Sequence, residues 1–358
     1  QLTHDYDPDD LYRRGYGYRS GVNQTMRDHL AGIAQQLESH VKIRPNDTVL
    51  DIASNDGTLL RSYTEKKLNL VGIDPTITQY RSYYPNGSYI SSDFFSQRVF
   101  ESISPTKKAK AISSIAVFYD VPDPARFTAD VASVLETNGV WVMEQSYLPL
   151  LVADLSFDSI CHEHLGYYCL KQIEFAAENA GLRVFDAETN SMNGGSIRAF
   201  ICHAKSRYST NEIALSKIAK LEAEAKLDCT ETFNAFHTRV NEVGEKLLKV
   251  LKNVKAAGKT VHVYGASTKG NVLLQLFGID RKLIDAASER NEWKFGHRTP
   301  GTNIPIISEE ASRAQKPDYY LVLPWHFRNE FVEREQTFIN NGGKLIFPLP
   351  NVEVYPAD

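Results

Sequence analysis

The stretch "DTVLDIASNDGTLLRSY", residues 47 to 63, has the pattern of a strand, a tight polar turn and a helix. Further strands are predicted within "LNLVGIDPT", "AKAISSIAVFYDVPDP" and "GVWVMEQSYLP", with helical segments between them. Strands that alternate with helices indicate a parallel sheet with helices on both faces. The sequence therefore predicts an α/β fold that is organised around this first strand.

The turn after the first strand favours one nucleotide-type ligand over another. A dinucleotide-binding turn has the pattern G-x-G-x-x-G, in which bare glycines let the backbone approach a pyrophosphate. Here Ala53 and Asn55 stand where glycine would be needed, and Asp51 and Asp56 make the turn acidic. An acid repels a phosphate and attracts a sulfonium or ammonium group. The turn therefore favours S-adenosylmethionine over NAD.

Acidic residues also follow the next two strands. Asp74 in "GIDPT" stands where a carboxylate accepts both ribose hydroxyls. Asp93 and Phe94 in "SSDFF" stand where the amino group and ring of an adenine are recognised. Any one of these aspartates could instead be a helix cap or a turn residue. Acids at three successive strand ends form an ordered set, which again favours S-adenosylmethionine over NAD.

A second strand–turn–helix pattern begins at residue 259 with "KTVHVYGASTKGNVLLQLFG". Later strands within "LIDAASE", "YYLVLP" and "GKLIFPLP" predict a second α/β domain. A turn that opens a helix favours an anion, and Lys269 adds a positive charge. The residue order is not that of a Walker loop, so a diphosphate that is held rather than hydrolysed is expected. The alternative is a structural Gly-rich turn with a surface lysine.

Other polar residues could contact a phosphate or a sugar. The stretch "NGGSIR", from Asn193 to Arg198, and Arg298 in "HRTPGT" offer amide and basic groups. Arg298 could equally form a surface ion pair. His326 follows the strand in "YYLVLPWH" and is expected at the carboxyl edge of the second sheet, where ligands bind in such folds.

The stretch "FDSICHEHLGYY", residues 157 to 168, carries two histidines, a glutamate and a cysteine. A zinc site would need a third ligand with recognisable spacing, and a lone cysteine such as Cys161 is more often a buried thiol than a nucleophile. A structural histidine pair is another alternative. Acid/base chemistry fits best, with His164 as the base and Glu163 orienting it or making it more basic.

Several motifs together resemble one family. "YGYRSGVNQTMRDH", "DIASNDG", "GIDPT", "VFYDVPDP", "EQSYLP", "CHEHLGYY", "NGGSIR", "YGASTKGN" and "RTPGTNIPI" occur in that order. They resemble the sugar C-methyltransferases of deoxysugar and surface-polysaccharide pathways, over nearly the whole chain. The family often has Tyr before H-E-H and His in the "VFYD" loop, where this chain has Cys161 and Asp120. The family has a small zinc-binding domain, but no zinc-ligand cysteines precede "HDYDPDD" here; they are either trimmed or absent, so no metal is predicted.

The resemblance implies a class I, Rossmann-like S-adenosylmethionine-dependent methyltransferase domain. A second Rossmann-like α/β domain would follow and help to hold a nucleotide sugar. The predicted segments are an N-terminal helical segment at 1–45, the methyltransferase domain at 46–205, a helical connector at 206–255 and the C-terminal α/β domain at 256–358. Within them, the spacing of apolar residues predicts a helix from Gln24 to Val41 and an amphipathic helix that ends near Gly258.

The predicted function is C-methylation of a keto sugar of a nucleotide diphosphate through a base-generated enolate. The alternatives are an O-methyltransferase, an NAD-dependent nucleotide-sugar oxidoreductase and a non-catalytic sugar-nucleotide binding protein. The predicted catalytic residues are His164, Glu163, Asp120 and Tyr16. The predicted cofactor contacts are Tyr18, Ser20, Asp51, Ala53, Ser54, Asn55, Gly57, Asp74, Pro75, Asp93, Phe94 and Phe118. The predicted substrate contacts are Tyr147, His162, Asn193, Ser196, Arg198, Tyr264, Ser267, Thr268, Lys269, Arg298 and His326.

The composition limits the remaining function classes. A chain of 358 residues is long enough for two domains, and its net charge of -4 argues against a nucleic acid or an anionic membrane as partner. No apolar run approaches the roughly 18–20 residues that span a bilayer. The four cysteines form no C-x-x-C pair, so we predict a cytoplasmic protein with reduced thiols. A start at Gln1 predicts a fragment, and no oligomeric state is predicted.

Overall fold

The computed structural model describes residues 2, 6–13 and 15–357, which form two compact units. The first unit contains the described residues of 1–147 together with His162–Asn190 and Ser196–Glu224. The second contains Leu148–Cys161, Ser191–Gly195 and the described residues of 225–358. This grouping differs from the predicted segments, because two short pieces of the predicted 46–205 domain pack with the C-terminal unit.

The first unit is built on a seven-stranded sheet. Its strands are β1 Thr48–Ile52, β2 Asn69–Ile73, β3 Tyr89–Ser91, β4 Ala109–Ile115, β5 Leu135–Ser146, β6 Leu182–Asn190 and β7 Ser196–His203. Their order is β3-β2-β1-β4-β5-β7-β6, with β1 to β5 parallel and β7 antiparallel to β5 and β6. The predicted parallel arrangement is confirmed for β1 to β5, whereas β6 and β7, which the sequence analysis did not identify as strands, add an antiparallel part to the sheet. A connection of five residues, 191–195, is too short for the crossover that parallel strands need.

The second unit is built on a six-stranded sheet. Its strands are β8 Val261–Tyr264, β9 Ala286–Glu289, β10 Ile306–Ser308, β11 Tyr319–Val322, β12 Lys344–Phe347 and β13 Glu353–Tyr355. The order is β10-β9-β8-β11-β12-β13, and only the edge strand β13 runs antiparallel to its neighbour. Leu155 and Phe157 belong to the apolar core of this unit, which explains why their segment groups with it.

Helices connect the strands in both units. The α-helices are α1 Pro8–Tyr12, α2 Gln24–Val41, α3 Thr58–Arg61, α4 Ile77–Tyr80, α5 Gln97–Ile103, α6 Pro124–Val134, α7 Leu148–Ala153, α8 Leu170–Asn179, α9 Glu212–Ala225, α10 Thr230–Ala256, α11 Thr268–Leu276, α12 Glu309–Ala314, α13 Arg328–Arg334 and α14 Gln336–Asn340. The helix predicted from Gln24 to Val41 is confirmed, and the predicted amphipathic helix is α10. Within the described ranges, no helix has both the length and the apolar character to cross a bilayer.

Candidate active site

The turn between β1 and α3 is bent through left-handed backbone conformations. Ala53, Asn55 and Gly57 have φ angles of 57°, 49° and 71°. Such angles are uncommon for residues with a Cβ, so surrounding contacts must hold Ala53 and Asn55 in place. One contact is a 2.9 Å hydrogen bond that the Asn55 N–H donates to Asp74 Oδ2, just after β2. The predicted cofactor turn is thus tied to the predicted ribose acceptor.

Asp74 is 5% exposed, and its carboxylate already accepts three hydrogen bonds within the protein. It accepts from the Asn55 N–H, the Thr76 N–H and the Thr76 hydroxyl. A carboxylate has about four lone-pair positions, so one remains for an outside donor. Burial raises the pKa of Asp74, and the bonds from Thr76 and Asn55 oppose that rise. This arrangement fits a single ribose hydroxyl better than the pair expected from the sequence.

Asp51 and Ser54 are bonded within the protein. Asp51 Oδ1 accepts a 2.6 Å hydrogen bond from the Ser113 hydroxyl on β4, and the Ser54 hydroxyl lies 2.7 Å from the Tyr84 hydroxyl. Burial raises the pKa of Asp51 to about 7, although Ser113 opposes the rise. We therefore assign both side chains a supporting role in the turn.

The segment from Tyr18 to Gly21 lies against the same turn. The Ser20 N–H donates to Asn55 Oδ1 at 2.9 Å, and Asn55 Nδ2 donates to the Tyr18 carbonyl at 3.1 Å. The Gly21 N–H donates to Asp56 Oδ2 at 3.1 Å, where an added Cβ would lie only 2.5 Å from that oxygen. Tyr18 and Ser20, both predicted cofactor contacts, are thus brought beside the turn, and Gly21 permits the close approach.

The residues predicted to recognise adenine, Asp93 and Phe94, are solvent-exposed and follow β3. Phe94 is 38% exposed, and Asp93 is also exposed. The Ser91 hydroxyl donates to Asp93 Oδ2 at 2.8 Å, and Arg13 Nη2 donates to Asp93 Oδ1 at 3.3 Å. The Arg13 guanidinium also lies 5.3 Å from the centre of the Phe94 ring. Sequence reasoning missed Arg13, which contacts both predicted adenine-binding residues.

The predicted base lies beside the loop that follows β4. The rings of His164 and Tyr119 are 4.1 Å apart between centroids, and the Gly166 N–H donates to the Tyr119 carbonyl at 2.9 Å. His164 is 7% exposed. Because β1 and β4 are adjacent and parallel, the loops at their carboxyl ends share one edge of the sheet. His164 is therefore positioned on the edge that carries the predicted cofactor turn.

Two tyrosines of the N-terminal segment contact Glu163. The Tyr16 hydroxyl donates to Glu163 Oε2, and the Tyr6 hydroxyl donates to the Glu163 carbonyl, each at 3.5 Å. The Tyr80 hydroxyl donates to the Tyr16 carbonyl at 3.1 Å and so holds this segment in place. Three of the predicted catalytic residues, Tyr16, Glu163 and His164, thus occur in one cluster.

The fourth predicted catalytic residue, Asp120, has a partner that sequence reasoning missed. The Tyr12 hydroxyl donates to Asp120 Oδ2 at 3.1 Å, and the rings of Tyr12 and Tyr16 are 4.9 Å apart. Burial raises the pKa of Asp120 well above its ordinary value; the Tyr12 hydrogen bond opposes that rise and the charge of Glu163 adds to it. The Tyr/Asp-rich composition of the first residues was the signal for Tyr12.

Three predicted contacts have side chains inside the packed units. Phe118 is 1% exposed in an aromatic core. Tyr147 is 0% exposed and donates from its hydroxyl to Glu222 at 2.6 Å. Tyr264 stacks on Tyr320 at 4.1 Å between ring centres. The sequence places these residues at strand ends but does not show which way their side chains point, so the ligand contacts predicted for them are not supported.

Arg198 also has a different environment from the predicted one. It is 6% exposed and donates to Glu144 Oε2 from Nε at 2.8 Å and to Glu188 Oε1 from Nη1 at 2.8 Å. His29 Nε2 lies 2.5 Å from Glu144 Oε1 on the other side of the carboxylate. The charge of Arg198 is therefore balanced inside the first unit, which argues against the predicted phosphate contact.

In the second unit, Lys269 forms a hydrogen bond with Asn193. Lys269 Nζ donates to the Asn193 carbonyl at 3.0 Å, and Asn193 has a φ of 55°. The Ser267 hydroxyl accepts from the Gly270 N–H at 3.1 Å and so caps α11. The 191–195 segment and the Gly-rich turn, which are far apart in sequence, are thereby brought to one place.

Sequence reasoning missed Asp158, which lies in this part of the second unit. Trp325 Nε1 donates to Asp158 Oδ2 at 3.0 Å. Burial raises the pKa of Asp158, and Lys269 and Trp325 oppose the rise. Burial, with a smaller effect of Lys269, lowers the pKa of His326 to about 3, so this imidazole is neutral at pH 7. Asp158 Oδ1 and His326 Nδ1 are buried and accept or donate no hydrogen bond among the described residues.

The remaining predicted residues are scattered over the two units. His162 is exposed, with its ring 5.9 Å from that of Tyr6, and Pro75 directly follows Asp74. Ser196 is buried at the start of β7, Thr268 begins α11, and the exposed Arg298 donates to the Asn303 carbonyl at 3.1 Å. In the part of the chain that the structure describes, no three His, Cys, Asp or Glu side chains are arranged to hold a metal ion.

Comparisons with known proteins match the chain in two parts. Residues 18–187 match the family described as "Methyltransferase domain", and residues 191–350 match "C-methyltransferase C-terminal domain". The C-methyltransferase NovU of Streptomyces niveus is 29% identical over 358 residues, which cover 100% of this chain and 85% of NovU.

Likenesses to solved structures are weaker. The plantazolicin methyltransferase BpumL is 12% identical, covers 51% of this chain and 86% of its own, and has a TM-score of 0.40. The mitomycin 7-O-methyltransferase MmcR is 14% identical, covers 50% and 54%, and has a TM-score of 0.38. The family matches confirm the predicted class I fold and S-adenosylmethionine as the cofactor. The chain is thus similar to C-methyltransferases over both of its parts, and it is an S-adenosylmethionine-dependent methyltransferase.

Proposed function

We propose that the protein methylates a carbon atom next to the ketone of a nucleotide-diphosphate sugar, and that His164 is the base. A carbon without a lone pair must lose a proton before it can attack a methyl group. S-adenosylmethionine supplies the electrophilic methyl group. The chain must then supply a base and a donor for the enolate oxygen.

The observation that carries the proposal is the cluster of His164, Glu163, Tyr16 and Asp120 on the first unit. His164 contacts Tyr119 in the loop after β4, and Tyr16 donates to Glu163 at 3.5 Å. A neutral imidazole can accept a proton from carbon as a general base. The neighbouring hydroxyl and carboxyl groups can donate to an oxygen that becomes negative.

The second unit is the proposed holder of the nucleotide diphosphate. The N–H groups at the start of α11 and the charge of Lys269 favour an anion. The neutral His326 and the unbonded atom Asp158 Oδ1 are available for hydroxyl groups of a sugar.

The Asp74→Asn variant tests the cofactor site. Loss of a charged hydrogen bond to the ribose should weaken S-adenosylmethionine binding by about 1.5–3 kcal/mol. Calorimetry with S-adenosylmethionine measures the change, and Asp28→Asn on the exposed face of α2 is the matched control. Unchanged affinity in Asp74→Asn would remove Asp74 from the site.

The Lys269→Met variant tests the second unit. It removes a positive charge and the bond to the Asn193 carbonyl, so the KM for the nucleotide sugar should rise about tenfold or more, as expected for one charged hydrogen bond. The affinity for S-adenosylmethionine should stay the same. Lys282→Met is the exposed control. Equal weakening of both ligands, or of neither, would point to a purely structural role for Lys269.

Mass spectrometry identifies the substrate and the type of product. The protein is incubated with S-adenosylmethionine and a panel of keto nucleotide sugars, and fragmentation locates the new methyl group. A C-methylated product supports the proposal. An O-methylated product would keep the cofactor assignment and remove the enolate.

A further inference from the structure

We propose that Asp120 acts as a neutral acid that donates a hydrogen bond from Oδ1 to the enolate oxygen, and that Tyr12 positions it. This inference rests on the proposed function. It assigns the enolate donor that the reaction needs, and it adds Tyr12 to the site.

The two oxygens of Asp120 have different environments. Oδ2 accepts the Tyr12 hydroxyl hydrogen at 3.1 Å. Oδ1 is buried and has no hydrogen-bond partner among residues 6–13 and 15–357. A buried polar atom without a partner is costly unless a ligand or a water bonds to it. With Tyr12 on Oδ2, a proton on the carboxyl group would be carried by Oδ1, which is the oxygen left for a ligand.

The surroundings of Asp120 favour its neutral form. The titratable groups near it are those of Tyr6, Tyr12, Tyr16, Tyr119, Glu163 and His164. The charge of Glu163 disfavours a second negative charge on Asp120, and burial raises the pKa of Tyr12 and Tyr16, so these phenols are neutral at pH 7. A carboxyl group in such a place stays protonated at neutral pH and can donate a hydrogen bond. The raised pKa of Asp120 agrees with this geometry.

The proposed methylation passes through an enolate. His164 takes the proton from the carbon next to the ketone, the C–H electron pair becomes a C=C bond, and the carbonyl oxygen gains the negative charge. Asp120 shares its proton with that oxygen in a hydrogen bond. The C=C pair then forms the bond to the methyl group, the S–CH₃ pair stays on sulfur as S-adenosylhomocysteine forms, and the ketone returns. The proton on His164 leaves to solvent.

Infrared spectroscopy on protein labelled with ¹³C-carboxyl aspartate tests the protonation directly. The full chain with S-adenosylhomocysteine, without sugar, should show a protonated carboxyl band at pH 7 that is absent in Asp120→Asn. Tyr12→Phe should keep this band to higher pH, because it removes a hydrogen bond that lowers the pKa of Asp120. A carboxylate at Asp120 at pH 7 would overturn the inference.

Two substitutions of Asp120 distinguish its action as a hydrogen-bond donor from an action as a carboxylate. Asp120→Leu removes the donor and should lower kcat by about 10²–10³ for the keto sugar that the wild-type protein methylates. Asp120→Asn keeps an N–H donor and should retain most of the rate. Equal loss in both variants would show that Asp120 acts as a carboxylate. If the wild-type protein methylates only oxygen while the protonated band is present, the proposed enolate fails and the protonation of Asp120 stands.

Discussion

Replacement of His164 by Asn is expected to lower kcat by about 10²–10⁴, the usual cost of removing a general base. An amide cannot take up the proton, so the enolate should not form. The side chain is 7% exposed and contacts Tyr119, which makes Asn, a smaller polar group, less disruptive than an apolar residue. S-adenosylmethionine should still bind with unchanged affinity, because the cofactor turn is held by Asp74 and Asn55.

The isotope experiment identifies the step that fails. With S-adenosylhomocysteine in place of the methyl donor, the wild-type protein should exchange the proton next to the ketone with D₂O if enolate formation is reversible. His164→Asn should lose this exchange. His237→Asn, on the exposed face of α10, is the control and should exchange normally. Near-normal methylation by His164→Asn would show that the base lies elsewhere.

The strand-and-turn pattern predicted where the candidate cofactor residues lie in the sheet. The residues after β1, β2 and β3 lie where the alternation of strands and helices places them, since parallel strands bring their carboxyl ends to one edge. The confirmed helix α2 follows from an apolar repeat that its own sequence contains. These features depend on residues close in sequence, which a local pattern can reveal.

The features that were missed depend on contacts between distant residues. Tyr12 meets Asp120 across 108 positions, and Trp325 meets Asp158 across 167. No local period predicts such pairs. The direction of a side chain at a strand end is likewise set by the tertiary packing, which is why Tyr147 was predicted as a ligand contact and instead donates to Glu222.

The second large effect is expected on stability, at the buried ion pairs of Glu144, Arg198 and His29. Glu144→Gln keeps the shape of the side chain but leaves the Arg198 charge without its main partner in a buried place. Breaking a buried ion pair in this way costs about 3–5 kcal/mol. We therefore expect the free energy of unfolding in urea to fall by that amount in Glu144→Gln. Arg198 is 6% exposed and Glu144 is 3% exposed, so water can do little to replace the lost partner.

A control on the same strand separates burial from charge. Glu136 also lies on β5, and its 3.4 Å pair with Lys110 is part-exposed. Glu136→Gln should cost less than about 1 kcal/mol, as for surface pairs. The double variant Glu144→Gln, Arg198→Met removes both charges and should regain part of the loss. No recovery in the double variant would show that the loss in Glu144→Gln does not come from an unpaired Arg198 charge.

The pH dependence gives an independent check on Glu144. Burial by itself would raise its pKa, but the His29 hydrogen bond and the charge of Arg198 outweigh burial and lower it. A carboxyl group whose folded pKa lies below its unfolded value of about 4.3 stabilises the protein above that value. That contribution is lost as the pH falls through the folded pKa, because the proton then binds in both states. The difference between wild type and Glu144→Gln should therefore be full at pH 7 and shrink below about pH 4. A difference that stays constant down to acid pH would mean that packing, and not the carboxylate charge, holds Arg198 in place.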